Sequence, residues 1–230
     1  MKILCTICMR GGSQGLKNKN LSKIRGKFLM WYTINAATKS KIFTDIVVSS
    51  DSDKILKVAK SLGVSNLIYR KKILSKSKTS KILVIRDCLK KMEINKNKEY
   101  DLIFDLDVTS PLRIVEDIKE AKKVFIKNRY DILVSGTEAR SNPYFNAVKK
   151  TTNGVVPVIN MQRKITCRQD APNVYDLNAS IYIWRRKALL KKNDLWGKKT
   201  GLYVMPFERS WDIDTKNDFK VVNFFMEDNK

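Results

Sequence analysis

Short apolar runs alternate with helical patterns along the first 135 residues, and that alternation restricts the fold more than any other feature. Lys2–Met9, Asp45–Ser49, Val64–Tyr69 and Leu102–Leu106 read as buried strands, with Asp131–Ser135 a fifth. Between them, apolar residues recur at helical spacing over Leu29–Lys39, Ser52–Leu62, Thr79–Met92 and Val115–Asn128. Asp51 is placed to cap the second of these helices, and Gly63 to end it. Strand and helix alternating in this way predict an α/β fold, a mostly parallel sheet with helices on both faces and right-handed crossovers. Such sheets bind ligands at the carboxyl ends of their strands. The loop "RGGSQG", the segment "SSDSD", the region of Arg70 and "DVTSPLR" all fall at those ends, so four polar loops converge on one edge.

The pattern changes after residue 140. Residues 142–176 hold Pro143, Pro157 and Pro172, two strand-like runs (Tyr144–Val148 and Val155–Ile159) and no long helix. This reads as an insertion packed outside the sheet, an arm reaching toward a partner subunit, within a single domain spanning 1–230. Ala179–Trp184 and Leu202–Val204 return to strand, and Thr215–Met226 closes as a helix. No apolar run approaches the roughly 20 residues that span a bilayer, and Ile3–Met9 is too short for a signal peptide's apolar core. A cytoplasmic location with no membrane partner is the expectation.

The formal net charge is +23, carried by 34 lysines and 12 arginines against 23 acidic residues. The lysines are scattered rather than gathered in an arm, and no stacking motif or recognition helix lies beside them. The charge therefore reads as a solvated surface that also attracts an acidic substrate, with no nucleic-acid partner. The chain contains no histidine, which removes every Ser-His and Cys-His catalytic arrangement and leaves a carboxylate, a lysine or metal-bound water as general base. Cys5 and Cys8 form a C-x-x-C, but Cys88 and Cys167 are isolated and complete no paired zinc motif. On a strand Cys5 and Cys8 face opposite ways, so core packing is favoured over a redox pair.

"RGGSQG" satisfies neither the G-x-x-x-x-G-K-[ST] phosphate loop nor G-x-G-x-x-G, which weakens a dinucleotide-binding reading. Small residues at Gly11 and Gly12 let backbone N–H groups approach anionic oxygens. Arg10 can fork onto a phosphate, Ser13 can donate, and Lys19 adds a mobile charge; a plain tight turn is the alternative. Near the other end, "SWDIDT" sets Asp212 and Asp214 two residues apart, on one side of an extended segment. Two carboxylates so placed suit a hard cation such as Mg²⁺ or Mn²⁺, although one of them could simply cap the following helix.

These residues carry a resemblance. "ICMRGGSQGLKNKN" is similar to the R-x-G-S-K-G-x-x-x-K-N signature of the acylneuraminate cytidylyltransferases, which activate nine-carbon sialic-type sugars as CMP-sugars. "DLDVTSPLR", "YDLNASIYIW" and "DIDT" resemble further motifs of that family in the same order, from about Lys2 to Phe225. The branch acting on legionaminic acid looks most similar. The resemblance implies a Rossmann-like nucleotidyltransferase fold and a homodimer joined through the arm at 142–176. It also implies transfer of CMP from CTP to an acidic nine-carbon sugar with release of pyrophosphate. Arg10, Ser13, Lys19 and Asn20 would then hold the CTP phosphates and base, with Arg70 assisting. Asp107, Thr109 and Ser110 would line the floor between nucleotide and sugar. Arg168 would meet the sugar carboxylate, Asn178 and Tyr182 would lie near its ring, and Leu195 and Trp196 would form an apolar wall for an acyl group. Asp212 and Asp214 would hold the metal, and either Asp212 or a metal-bound hydroxide would accept the proton. Gln14 departs from the pattern where most members have lysine, Ser77 where relatives often carry aspartate, and Asp107 where the sialic-acid enzymes have glutamine. The other readings are a CMP-Kdo-type or different sugar nucleotidyltransferase, and a catalytically weak nucleotide-binding relative.

Overall fold

The computed structural model describes residues 1–12, 16, 18–152, 154–159 and 165–228. Ile3–Cys8 (β1) is apolar or small throughout because both of its faces are covered. A two-stranded ribbon, Lys23–Ile24 (β2) and Lys27–Phe28 (β3), leads into helix α1 (Leu29–Ser40). Then come β4 (Asp45–Ser50), α2 (Asp53–Ser61), β5 (Asn66–Tyr69), α3 (Lys81–Lys96), β6 (Leu102–Leu106), α4 (Val115–Lys127) and β7 (Ile132–Glu138). After the hairpin β8 (Val148–Thr151) and β9 (Gly154–Pro157), the chain forms β10 (Tyr175–Arg185), α5 (Arg186–Lys191), β11 (Thr200–Val204) and α6 (Lys216–Asp228).

The seven-stranded sheet has the order β11-β7-β10-β6-β1-β4-β5, with β10 antiparallel to both neighbours and every other pair parallel. This is the expected α/β architecture. One face packs against α1, α2, α4 and α6 around Phe104, Ile118 and Phe125. The other packs against α3 and α5 around Ile85, Leu89 and Trp184. Side chains as completely buried as Phe104 and Phe125 each contribute on the order of 1.5–3 kcal/mol relative to exposure. Cys5 joins the first core, whereas Cys8 turns to the second and stands 4.0 Å from Cys88, sulfur to sulfur. The opposite orientation read from the C-x-x-C spacing holds.

The expected arm at 142–176 ends inside the sheet, since Tyr175 and Asp176 already pair with β7 as the start of β10, while its other described residues add no strand to the sheet. β8 and β9 pair only with each other, and the hairpin leaves Val148, Val155 and Val156 exposed. The strand-like run expected at Tyr144–Val148 is mostly turn instead. Asn142 explains this, because its carbonyl accepts from the N–H groups of Phe145, Asn146 and Ala147 and holds them in a tight curl.

Candidate active site

Loops from β1, β4, β5 and β6 reach the carboxyl edge of the parallel strands. Beyond β1 the Gly11 N–H donates to Asp51 Oδ1 at 2.7 Å. A Cβ at Gly11 would lie 3.0 Å from Ser52 Cβ, so the meeting of the two loops needs the missing side chain. Asp51 is therefore no helix cap: Ser52 precedes α2, and its side chain makes no capping bond. The Gly11 N–H is likewise committed to a carboxylate, while a side chain at Gly12 would meet nothing within 4 Å. Ser13 and Gln14 lie outside the described residues.

Two residues farther along tie this loop to the rest of the site. Asn20, nearly buried, donates from Nδ2 to the Arg10 carbonyl at 3.0 Å and so braces the loop's entrance. Lys19 crosses to the far end of the chain, donating to Ile213 O at 2.6 Å and Asp214 Oδ1 at 2.9 Å. The Ile213 N–H in turn donates to Thr109 O at 2.9 Å. Glycine loop, "DVTSPLR" loop and "DIDT" segment thus share one hydrogen-bonded junction.

Beside that junction, Arg10, Arg70, Thr79 and Lys81 line a cavity of about 250 Å³. Arg70 is buried and aimed by Ser49, whose carbonyl accepts from Nη2 at 2.8 Å. Asp107 forms part of the cavity wall. Its Oδ1 accepts from the Thr109 N–H and hydroxyl, at 3.2 and 3.0 Å, and its Oδ2 lies 2.6 Å from Lys81 Nζ. Burial alone would raise the Asp107 carboxyl, but the Lys81 ammonium and the Thr109 bonds override it and lower it to about 2. Lys81 also pairs at 2.7 Å with the wholly buried Asp105, whose Oδ1 accepts from Thr6 Oγ1. Burial opposes the Lys81 charge, yet the two carboxylates hold it well above the usual lysine range. Tyr182 lies opposite Asp105 on β10, and burial raises its phenol.

Asp212 and Asp214 differ in surroundings despite their two-residue spacing. Asp214 is 74% exposed beside Lys19. Asp212 is largely enclosed, and its Oδ1 is buried with no hydrogen-bond partner among the described residues. Burial pushes its carboxyl up to about 6, the Thr109 hydroxyl working against this and the charges of Asp107 and Asp214 adding to it. An orphaned carboxylate oxygen next to a second carboxylate fits a hard divalent cation, which takes oxygen ligands. No group of three or more carboxylate or thiol ligands able to hold a metal occurs among the described residues.

The remaining residues named from sequence are dispersed. Ser110 and Asn178 are buried inside the fold, the Ser110 hydroxyl donating to the Asn178 carbonyl. The Asn178 side chain accepts from Ser135 Oγ and the Ser180 N–H and donates to Ser210 Oγ, which leaves no polar atom turned to a ligand. Arg168 is exposed in a short turn, donating to the Arg140 carbonyl at 3.2 Å; Arg140 itself lines an open cleft of about 800 Å³ beyond β7 and β11. Leu195 and Trp196 precede β11, at the amino ends of β7 and β11, on the opposite edge of the sheet from Asp107. Trp196 lines a separate groove of about 530 Å³ with Tyr144, Ile159, Leu177 and Leu202.

Two residues at the centre escape a reading of the sequence. Lys81 is one lysine among many, and the signal that could find it is indirect. Asp105 and Asp107 share one face at the end of a buried strand, which demands a counter-ion. Arg113, the arginine of "TSPLR", lies buried behind Asp107 and donates to its carbonyl, to Ser180 O and to Thr33 Oγ1.

A family model described as Cytidylyltransferase matches residues 4–223. The chain is 43% identical over 225 residues to the CMP-N,N'-diacetyllegionaminic acid synthase of Campylobacter jejuni, an alignment covering 98% of this chain and 95% of that protein. It is 40% identical over 227 residues to the post-translational flagellin modification protein B of Campylobacter coli, covering 99% and 96%. Among solved structures, a CMP:2-keto-3-deoxy-manno-octonic acid synthetase complexed with CTP aligns over 100% of both chains, with a TM-score of 0.70 and 16% identity, a likeness of fold.

Proposed function

The chain belongs to the cytidylyltransferase family, and we propose that it transfers CMP from CTP to the anomeric hydroxyl of a nine-carbon nonulosonic acid of the diacetamido, legionaminic type, releasing pyrophosphate. The observation that carries this reading is the junction of Lys19, Thr109, Ile213 and Asp214, which joins a cationic loop to a carboxylate pair at the edge where α/β sheets bind nucleotides. The relative at 43% identity bears the name of such a synthase, which supports the choice of sugar.

In this reading Arg10, Arg70 and Lys19 bind and orient the triphosphate. Asp212 and Asp214 would hold Mg²⁺ or Mn²⁺, which when bound would offset charge developing on the phosphates. The sugar hydroxyl attacks the α-phosphorus in line and displaces pyrophosphate. Asp212, whose buried Oδ1 has no hydrogen-bond partner among the described residues, is the side chain proposed to accept the hydroxyl proton. Arg168 meets the sugar carboxylate at the rim of the cleft beside Arg140, and Tyr182 flanks the ring. The arm at 142–176 and the groove around Trp196 close against a second copy of the chain, forming a homodimer.

Pyrophosphate release from CTP tests the reading directly. It should appear with diacetyllegionaminic acid and be slower with N-acetylneuraminic acid and with the eight-carbon acid Kdo. No release with any nonulosonic acid would refute it.

A further inference from the structure

Lys81 lines the cavity, pairs with two carboxylates and has no part in the chemistry above. Its ammonium is clamped between Asp105 Oδ2 and Asp107 Oδ2 at 2.7 and 2.6 Å, while a third of its side chain stays open to the cavity. The two carboxylates have different duties. Asp105 is wholly buried and anchored by Thr6, so it fixes the ammonium from below. Asp107 is 21% exposed and continues the chain of contacts upward: its other oxygen accepts from the Thr109 N–H and hydroxyl. The same Thr109 accepts through its carbonyl from the Ile213 N–H, next to Asp212. A continuous path thus runs from Asp105 through Lys81, Asp107 and Thr109 to the segment that carries Asp212.

We infer that Lys81 is a positioning residue for CMP transfer: it pins the Asp107 carboxylate in one orientation, and through Thr109 this fixes where Asp212 presents its own. The inference rests on the transfer reading for its kinetic consequence. Among the described residues Lys81 is what holds the Asp107 Oδ2 oxygen, so removing the ammonium frees Asp107 to rotate and leaves two like charges facing each other. The resulting misplacement at Asp212 should fall on turnover rather than on nucleotide affinity, because small errors of geometry act on the reacting groups.

The test compares Lys81→Met, Lys81→Arg and the double variant Lys81→Met/Asp105→Asn. The double variant removes the buried carboxylate together with its partner, and so remains usable if the single variant does not fold. In Lys81→Met, or in the double variant, kcat is expected to fall on the order of tenfold to a hundredfold with KM for CTP changed by less than about threefold. Lys81→Arg, which can still bridge both carboxylates, should recover most of the loss. A substrate-free measurement accompanies the kinetics: the Thr109 and Ile213 backbone amide resonances should shift in the methionine variants and return toward wild type in the arginine variant. Wild-type kcat in a folded methionine variant overturns the inference, as does a raised KM for CTP with kcat unchanged, which would make Lys81 a phosphate contact. If the wild type proves inactive with CTP and every nonulosonic acid, the transfer reading falls. The amide resonances then decide alone, and unmoved Thr109 and Ile213 signals overturn the positioning role.

Discussion

Asp214 is largely exposed and already paired with Lys19. Exposed ion pairs add little to folding, so Asp214→Asn is expected to shift the thermal midpoint by no more than about 2 °C. If the carboxylate helps to hold the cation, kcat should nevertheless drop on the order of 100-fold. Thermal unfolding and pyrophosphate release, measured on the same preparation, separate the two effects; near-normal turnover, or full activity of the wild type in chelator, would contradict the assignment. Asp45 presents the opposite case, a carboxylate that matters to stability alone. Burial would raise its carboxyl, but the Lys98 ion pair and the Tyr100 hydroxyl outweigh burial and lower it. A carboxyl with a depressed folded pKa contributes stability above its unfolded value, roughly pH 4, and loses that contribution as pH falls through the folded value. Asp45→Asn should therefore cost about 1 kcal/mol at pH 7, and the gap to wild type should close as unfolding is followed down to pH 3. The residue-level record in the sequence is uneven for physical reasons. The spacing of Asp212 and Asp214 suggests a matched pair, but the structure encloses the first and exposes the second, because the chain around them packs against Thr109 on one side and meets water on the other. Lys81 cannot be read at all, because a lysine in the first turn of a helix looks the same whether it meets water or the two aspartates at the end of β6.

β10 carries a bulge where "NAS" crosses the sheet. Its pairing with β7 shifts register between Leu177 and Tyr182, and Ala179 adopts a left-handed φ of 52°. Asn178 stitches this irregularity by joining Ser135, Ser180 and Ser210. The family resemblance sets Asn178 near the sugar ring; in the structure its side-chain amide serves the strand itself. Asn178→Ala would leave the buried Ser135 hydroxyl and Ser180 N–H short of a partner, at roughly 2–3 kcal/mol. A lowered thermal midpoint with an unchanged KM for the sugar is expected; a raised sugar KM at unchanged stability would return Asn178 to the binding site. The parallel strands were the easiest elements to read, since β1, β4 and β6 are short and mostly apolar, with turn residues behind them. The ends were harder. Asp51 has the residue type and position of a cap, and only the approach of Gly11 from a loop 40 residues away shows where its carboxylate goes. β7 and β10 run longer than their apolar cores suggest, because their polar ends pair with each other where the sheet leaves its helical cover.

Across the whole molecule, exposed apolar surface concentrates where the chain leaves the sheet. Val148, Val155, Val156 and Trp196 are all open to solvent, as expected of a surface that a second subunit covers. Val155→Asp with Val156→Asp should convert a dimer into a monomer in sedimentation velocity while the far-ultraviolet spectrum stays unchanged; a wild type that is already monomeric would remove the dimer proposal. Arg168 projects from the same segment, so its truncation probes how the arm serves the substrate. Arg168→Ala should raise KM for the sugar at least tenfold and that for CTP by much less, since it would leave a carboxylate without its bidentate partner. The wild type should also show a higher kcat/KM for diacetyllegionaminic acid than for N-acetylneuraminic acid. Equal efficiencies would reject the branch of sugar and keep the transfer itself.

The bond from Lys19 to Asp214 joins residues 195 apart in the chain. During synthesis from the amino end, all seven strands of the sheet, β1 through β11 in the chain, can emerge, pair and bury much of their apolar surface while the segment bearing Asp212 and Asp214 has yet to be made. The catalytic junction is therefore among the last contacts that a nascent chain can form. A polypeptide stalled or clipped before residue 212 could hold most of a sheet and remain inert toward CTP, so catalytic competence itself reports that the carboxyl-terminal segment has been made and docked.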